Sequence, residues 1–135
     1  MKVVLDTNVL VSGLYTPAGL CSQVLRLVRT RVLTCCVDAR MLVEYEEVLH
    51  QLDPPVPRAE ADELCRILRQ TATMVAPQPL VTSLPHWDDL PFLEVAQASG
   101  AILVTGNKRH FPKRQCAGVP VMSPRELLDH LRQPH

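Results

Sequence analysis

Four short runs of apolar residues, with little alternation between polar and apolar positions, constrain this chain most. They are Val3-Val4-Leu5, Val32-Leu33-Thr34-Cys35-Cys36-Val37, Ala101-Ile102-Leu103-Val104 and Val119-Pro120-Val121-Met122. Strands of that kind are buried on both faces. The intervening segments carry helical signals. Val9-Leu10-Val11 reads as a helix, as does the stretch from Pro17 to about Arg29, where Leu20, Val24, Leu25, Leu27 and Val28 recur. Asp38 reads as the N-cap of a helix through Leu42, Val43 and Leu49. Asp53-Pro54-Pro55-Val56-Pro57 breaks that helix, and Arg58 to Thr71 is helical again, with Leu64, Ile67 and Leu68 on one face. Pro77 to Pro85 reads as irregular or as an edge strand. A further helix runs from near Asp88 and Asp89 to Ser99, where Gly100 ends it. Ser123-Pro124-Arg125-Glu126 is a capping box that opens a last helix, reaching about Arg132. Apolar strands alternating with helices imply a parallel sheet covered on both faces. The expectation is one α/β domain over residues 1–135, with three α/β/α layers and a central parallel sheet of four to five strands.

Composition narrows the function classes. Hydrophobic residues make up 47% and charged residues 21% of the 135, which excludes general disorder. No apolar run approaches the roughly 18–20 residues of a membrane span, so no membrane role is expected. The opening Met-Lys-Val-Val-Leu-Asp reaches an acid too soon for a signal or transit peptide. Five cysteines, with Cys35 and Cys36 adjacent and no C-x-x-C, suit small buried side chains in a reducing cytoplasm. Fourteen basic residues balance fourteen acidic ones. Binding of a polyanion by overall charge is thereby excluded, and a patch or a metal would have to hold it.

The acids fall at informative places. Ligands of open parallel sheets bind at the carboxyl ends of the strands. Asp6-Thr7-Asn8 follows the first strand and Thr105-Gly106-Asn107 the third, while Asp88 and Asp89 open the helix leading into that third strand. Glu44 lies in the helix after the second strand, and whether it points inward is open. Each position has a plainer reading. Asp6 caps the following helix, one of Asp88 and Asp89 caps theirs because Pro91 marks a helix start, and Glu44 belongs to a solvated run with Glu46 and Glu47, in which Glu44 and Glu47 share a face and Glu46 points elsewhere. Gathered in one cleft, three carboxylates and an amide oxygen would repel one another unless protonated or bridged by a cation. Oxygen-only donors favour Mg²⁺ or Mn²⁺, and such a site activates water and neutralises a phosphodiester under attack. Lys108, Arg109, Lys113 and Arg114 follow Asn107 directly, with His110 among them. They suit a phosphate backbone or, more plainly, a solvated loop. Base stacking is not expected of this stretch. A phosphatase using Asp6 as nucleophile is disfavoured, because Asn8 stands where that chemistry wants a second aspartate.

These segments resemble a known family. Val3-Val4-Leu5-Asp6-Thr7-Asn8-Val9-Leu10-Val11-Ser12 is similar to the opening of PIN-domain proteins, and Leu42-Val43-Glu44-Tyr45-Glu46-Glu47-Val48-Leu49 to their second acidic segment. The third and fourth are matched by Asp88-Asp89-Leu90-Pro91-Phe92-Leu93-Glu94-Val95-Ala96 and Leu103-Val104-Thr105-Gly106-Asn107. Within that family the chain looks most like the toxin components of bacterial type II toxin–antitoxin pairs, the VapC-like ribonucleases. The resemblance implies a Mg²⁺- or Mn²⁺-dependent ribonuclease acting on RNA, cytoplasmic, dimeric or a higher homo-oligomer, and restrained by a cognate antitoxin. It implies Asp6 as first metal ligand, Glu44 as second and Asp89 as third, with Asp88 its close rival. Thr7 and Asn8 would orient the first carboxylate, and Thr105 would be a supporting hydroxyl. Asn107 departs from the pattern, since many members carry aspartate there. Its amide oxygen still ligates or holds a metal-bound water but adds no charge.

Overall fold

In a computed structural model that describes residues 1–133, the apolar runs form the centre of the molecule. Strand β1 (Lys2–Leu5) is the middle of five, with Val3 and Val4 wholly buried. It pairs in parallel with β2 (Thr34–Val37) on one side, placing Val3 opposite Cys35. On its other side β4 (Ile102–Val104) aligns Val3 with Ile102 and Leu5 with Val104. The edges are β3 (Thr73–Met74) outside β2 and β5 (Val121–Met122) outside β4, giving the order β3-β2-β1-β4-β5, all parallel.

Six helices cover the sheet, as continuously apolar strands require. They are α1 (Thr7–Tyr15), α2 (Leu20–Arg29), α3 (Ala39–Leu49), α4 (Arg58–Thr71), α5 (Leu90–Ser99) and α6 (Pro124–Arg132). Helix α5 lies across β1, β2 and β4 and also meets α3, while α1 packs on α2 and α3, and α2 on α6. Local chemistry sets their ends. The Asp38 carboxylate accepts from the Met41 N–H at 3.1 Å, Gly100 ends α5 at a φ of 71°, and the Ser123–Glu126 capping box closes both of its hydrogen bonds.

Several boundaries differ from expectation: α2 begins at Leu20 rather than Pro17 and β4 at Ile102 rather than Ala101. The second strand begins at Thr34, because Arg31 turns the chain at a φ of 64° and leaves Val32 half exposed. The stretch from Pro77 to Pro85 is irregular, and the edge strand is Thr73–Met74 just before it, extended by the Val75 N–H on the Val37 carbonyl at 2.8 Å. Val119 and Pro120 precede β5, although the Pro120 carbonyl still accepts from Leu103 at 2.9 Å. All five cysteines are free; Cys21 is half-buried and the others are buried. Burial pushes the Cys35 thiol up to about 12, so it stays protonated. No helix among the described residues is long and apolar enough to cross a membrane.

Candidate active site

From β1 the chain moves outward to β2 and β3, then returns across the sheet to β4 and β5. The direction therefore reverses between β1 and β4, and at such a point the loops diverge and leave a crevice. Asp6 and Thr105 are the first residues beyond those two strands. The ladder carries on into both: the Asp6 N–H donates to the Val104 carbonyl at 2.9 Å and the Thr105 N–H to Met122 at 3.0 Å.

Their side chains join across the reversal. The wholly buried Thr105 hydroxyl donates to Asp6 Oδ2 at 2.8 Å and accepts from the Asn107 N–H at 3.0 Å. Asn8 accepts from the Gly106 N–H at 3.0 Å and reaches Asp6 Oδ2 at 3.4 Å. Asp6 stands at the N-cap position of α1 without a well-formed side-chain capping bond, although the Thr7 and Asn8 N–H groups still favour its ionised form. Burial pushes that carboxyl above its ordinary range, against the pull of the Thr105 hydroxyl.

Glu44 is half-buried and accepts a hydrogen bond from the Thr7 hydroxyl. That hydroxyl, expected on Asp6, thus orients the second acid, whereas Asn8 and Thr105 attend the first. Glu46 turns away to Arg69, at 3.2 Å. Burial, and then the charges of Asp6, Asp88 and Glu47, push the Glu44 carboxyl up. Asp89 stands at the N-cap position of α5 but its side chain makes no capping bond, and both it and Asp88 sit in a 3₁₀ turn, Trp87–Asp89, that runs into the helix. The Asp89 side chain is only 13% exposed, and Asp88 lies on the surface. Burial first, then the charges of Asp6 and Asp88, push Asp89 up to about 6 while His110 opposes them. Asp6 and Asp88 consequently act on both Glu44 and Asp89.

His110 is the residue whose part sequence reasoning missed. Its Nδ1 lies 3.0 Å from Asp89 Oδ2, and its ring packs on His86 at 4.1 Å between centroids. Only the fold brings these distant residues together. Lys108 is committed to Glu126 at 2.9 Å, whereas Arg109, Lys113 and Arg114 are exposed on two 3₁₀ turns, Lys108–His110 and Lys113–Gln115. Asn107, half-buried, leads into the first of these turns. A groove of about 680 Å³ lined by Arg26, Leu27, Leu128 and Leu131 lies between α2 and α6 and includes none of these acids.

Among the described residues no three His, Cys, Asp or Glu side chains are close enough to enclose a metal ion. The donor chemistry nonetheless fits a hydrated hard cation. Mg²⁺ binds through one or two carboxylates and keeps several waters, and mutual repulsion among oxygen donors is what a cation relieves. One consequence is measurable without metal. Between pH 4 and 6 the native state holds a proton on Asp89 that an unfolded chain, at its ordinary 3.8, has lost. Stability should therefore fall as pH rises through that window, by on the order of 2–3 kcal/mol. Thermal melting from pH 4 to 7 checks this, with Mg²⁺ expected to restore the loss at the upper end.

Comparison with known proteins bears on this arrangement. Residues 2–109 match the family described as PIN domain. In fold the chain is similar to a chain in the crystal structure of VapBC2 from Rickettsia felis bound to a DNA fragment from their promoter. The TM-score is 0.61 at 16% sequence identity, covering 91% of this chain and 98% of that one. No curated protein sequence matches significantly.

Proposed function

Because the chain belongs to the PIN-domain family, we propose that its single domain, residues 1–135, is a metal-dependent endoribonuclease. The observation that carries this is the Asp6 carboxylate, fixed by Thr105 at the reversal between β1 and β4, in one field with Glu44 and Asp89. In this reading Asp6, Glu44 and Asp89 hold Mg²⁺ or Mn²⁺, with Asp88 at the rim and the Asn107 amide beside them. The cation, when bound, supplies charge neutralisation at the phosphodiester and lowers the pKa of a coordinated water. The chain's own groups do the rest. Thr105 and Asn8 hold Asp6, and Thr7 holds Glu44, so the carboxylates need not reorganise during reaction. His110, whose Nδ1 lies 3.0 Å from Asp89 Oδ2, holds the third carboxylate in the same way. Arg109, Lys113 and Arg114 neutralise flanking phosphates; Lys108 adds to them only by leaving Glu126.

The sequence resemblance to toxin components, and the likeness in fold to a chain of the VapBC2 assembly, support a cytoplasmic toxin held in check by a cognate antitoxin. A homodimer or higher homo-oligomer belongs to the same reading. Incubating the purified chain with single-stranded RNA tests it. Cleavage is expected with Mn²⁺, its loss with EDTA and its return with excess Mn²⁺; intact RNA throughout overturns the reading. Asn107 and the lack of a closed group of ligands favour a second reading, a silent PIN-fold module that binds RNA or a partner protein. Calorimetry separates the two. Mn²⁺ binding by the wild type that Glu44→Gln abolishes supports the nuclease, and no binding above the Glu44→Gln background supports the silent module.

A further inference from the structure

Trp87 is 83% exposed and is the chain's one tryptophan. It occupies the corner of the 3₁₀ turn that delivers Asp88 and Asp89, closed by the Asp89 N–H on the His86 carbonyl at 3.0 Å. His86 before it and Asp89 two residues after it anchor the turn to the basic loop. The His86 ring packs on His110 at 4.1 Å, and Asp89 takes the His110 Nδ1 at 3.0 Å. The basic loop's own aromatic, Phe111, is buried in the core at 3% exposure, so Trp87, on the turn that His86 and Asp89 fasten to that loop, is the ring left in water beside it. A large flat apolar ring left in water, with carboxylates next to it on the turn and exposed Arg109 on the loop that turn abuts, has the makings of a stacking platform.

We infer that Trp87 stacks on an unpaired base of the bound RNA, next to the phosphodiester in the acidic cleft. This rests on the ribonuclease reading above and deepens it. A paired base is covered by its own neighbours in the duplex, whereas an unpaired one presents a free face to the indole. Stacking tolerates any base, so the contact selects strandedness and register rather than sequence.

A lone tryptophan makes the test direct, since all indole emission comes from Trp87. The wild-type protein is mixed rapidly in Mg²⁺ with a short single-stranded oligoribonucleotide, and emission is read before cleavage. Saturable quenching is expected, with none from the same strand made abasic. Trp87→Ala should raise KM for the intact strand about 5- to 150-fold, with kcat far less affected, and Trp87→Phe should recover most of the loss. At so exposed a position the melting temperature should not move, which separates stacking from misfolding. Cleavage by the wild type with unchanged emission, or an unchanged KM in Trp87→Ala, overturns the inference and leaves the nuclease standing. Emission that responds to a protein partner and not to RNA overturns it as well. A wild type that neither binds nor cleaves RNA overturns both.

Discussion

Replacing Asp6 with asparagine should lower Mn²⁺-dependent RNA cleavage by more than about 100-fold and, without metal at neutral pH, raise the melting temperature. The two effects have one cause. The Asp6 charge helps push both Glu44 and Asp89 upward, so the cluster is repulsive until a cation joins it. Asparagine keeps an acceptor for the Thr105 hydroxyl, now 2.8 Å from Oδ2, but removes the charge. Relief of repulsion, less the weakening of a charge-assisted hydrogen bond, should leave a net gain on the order of 1 kcal/mol. Paired cleavage and melting assays check both halves. A variant that still cleaves at wild-type rate removes Asp6 from the metal site, and one that melts lower without metal refutes the repulsive cluster.

The second large effect lies away from the acids. Glu94 is 5% exposed, inside α5, and its carboxylate is held by Arg40 at 2.9 Å and by the Leu80 N–H at 2.8 Å. Arg40 also closes on Asp38, at 2.6 Å. Arg40→Ala would leave a buried carboxylate with one donor, at a cost of about 2–4 kcal/mol, the half-exposed guanidinium placing it below the fully buried case. Glu94→Gln, which keeps an acceptor for Leu80 and leaves Arg40 to Asp38, should cost about 1 kcal/mol. Urea titrations of both variants check that ordering. Leu80 lies in the irregular segment that leads to Trp87, Asp88 and Asp89, so Arg40→Ala should also reduce cleavage by the protein that remains folded. Equal costs in the two variants would show that Glu94 does not depend on its ion pair.

What the sequence made legible follows from which signals are local. Buried strands declare themselves by continuous apolarity, and Val3-Val4-Leu5 and Ile102-Leu103-Val104 lie where that pattern puts them. Helix ends with chemical markers, at Asp38, Gly100 and Ser123, were equally plain. Strand β3 was not, because Thr73 and Met74 are both exposed and owe their extended state to the open edge of β2. The aspartates before Pro91 looked like caps, since proline marks a helix start. A preceding 3₁₀ turn carries the chain into α5, and Asp89 bonds to His110 instead. The Thr7 hydroxyl went to Glu44 because α3 passes beside α1, a fact of packing that spacing along the chain does not contain. His110 and Trp87 became notable for the same reason.

The reversal of the sheet has a consequence for biosynthesis. The Asp6–Thr105 hydrogen bond joins residues 99 positions apart. A chain emerging from the ribosome exposes its first carboxylate early, together with α1 and β2, but acquires the hydroxyl that aims it only when β4 slots in beside β1. Domains fold from the N-terminus as they are made, and contacts this remote close late. Prematurely terminated products that stop before β4 therefore carry Asp6, Glu44 and Asp89 without the strand that assembles them. On the reading proposed above, fragments that end before β4 should lack the arrangement that fixes Asp6, and should show no cleavage.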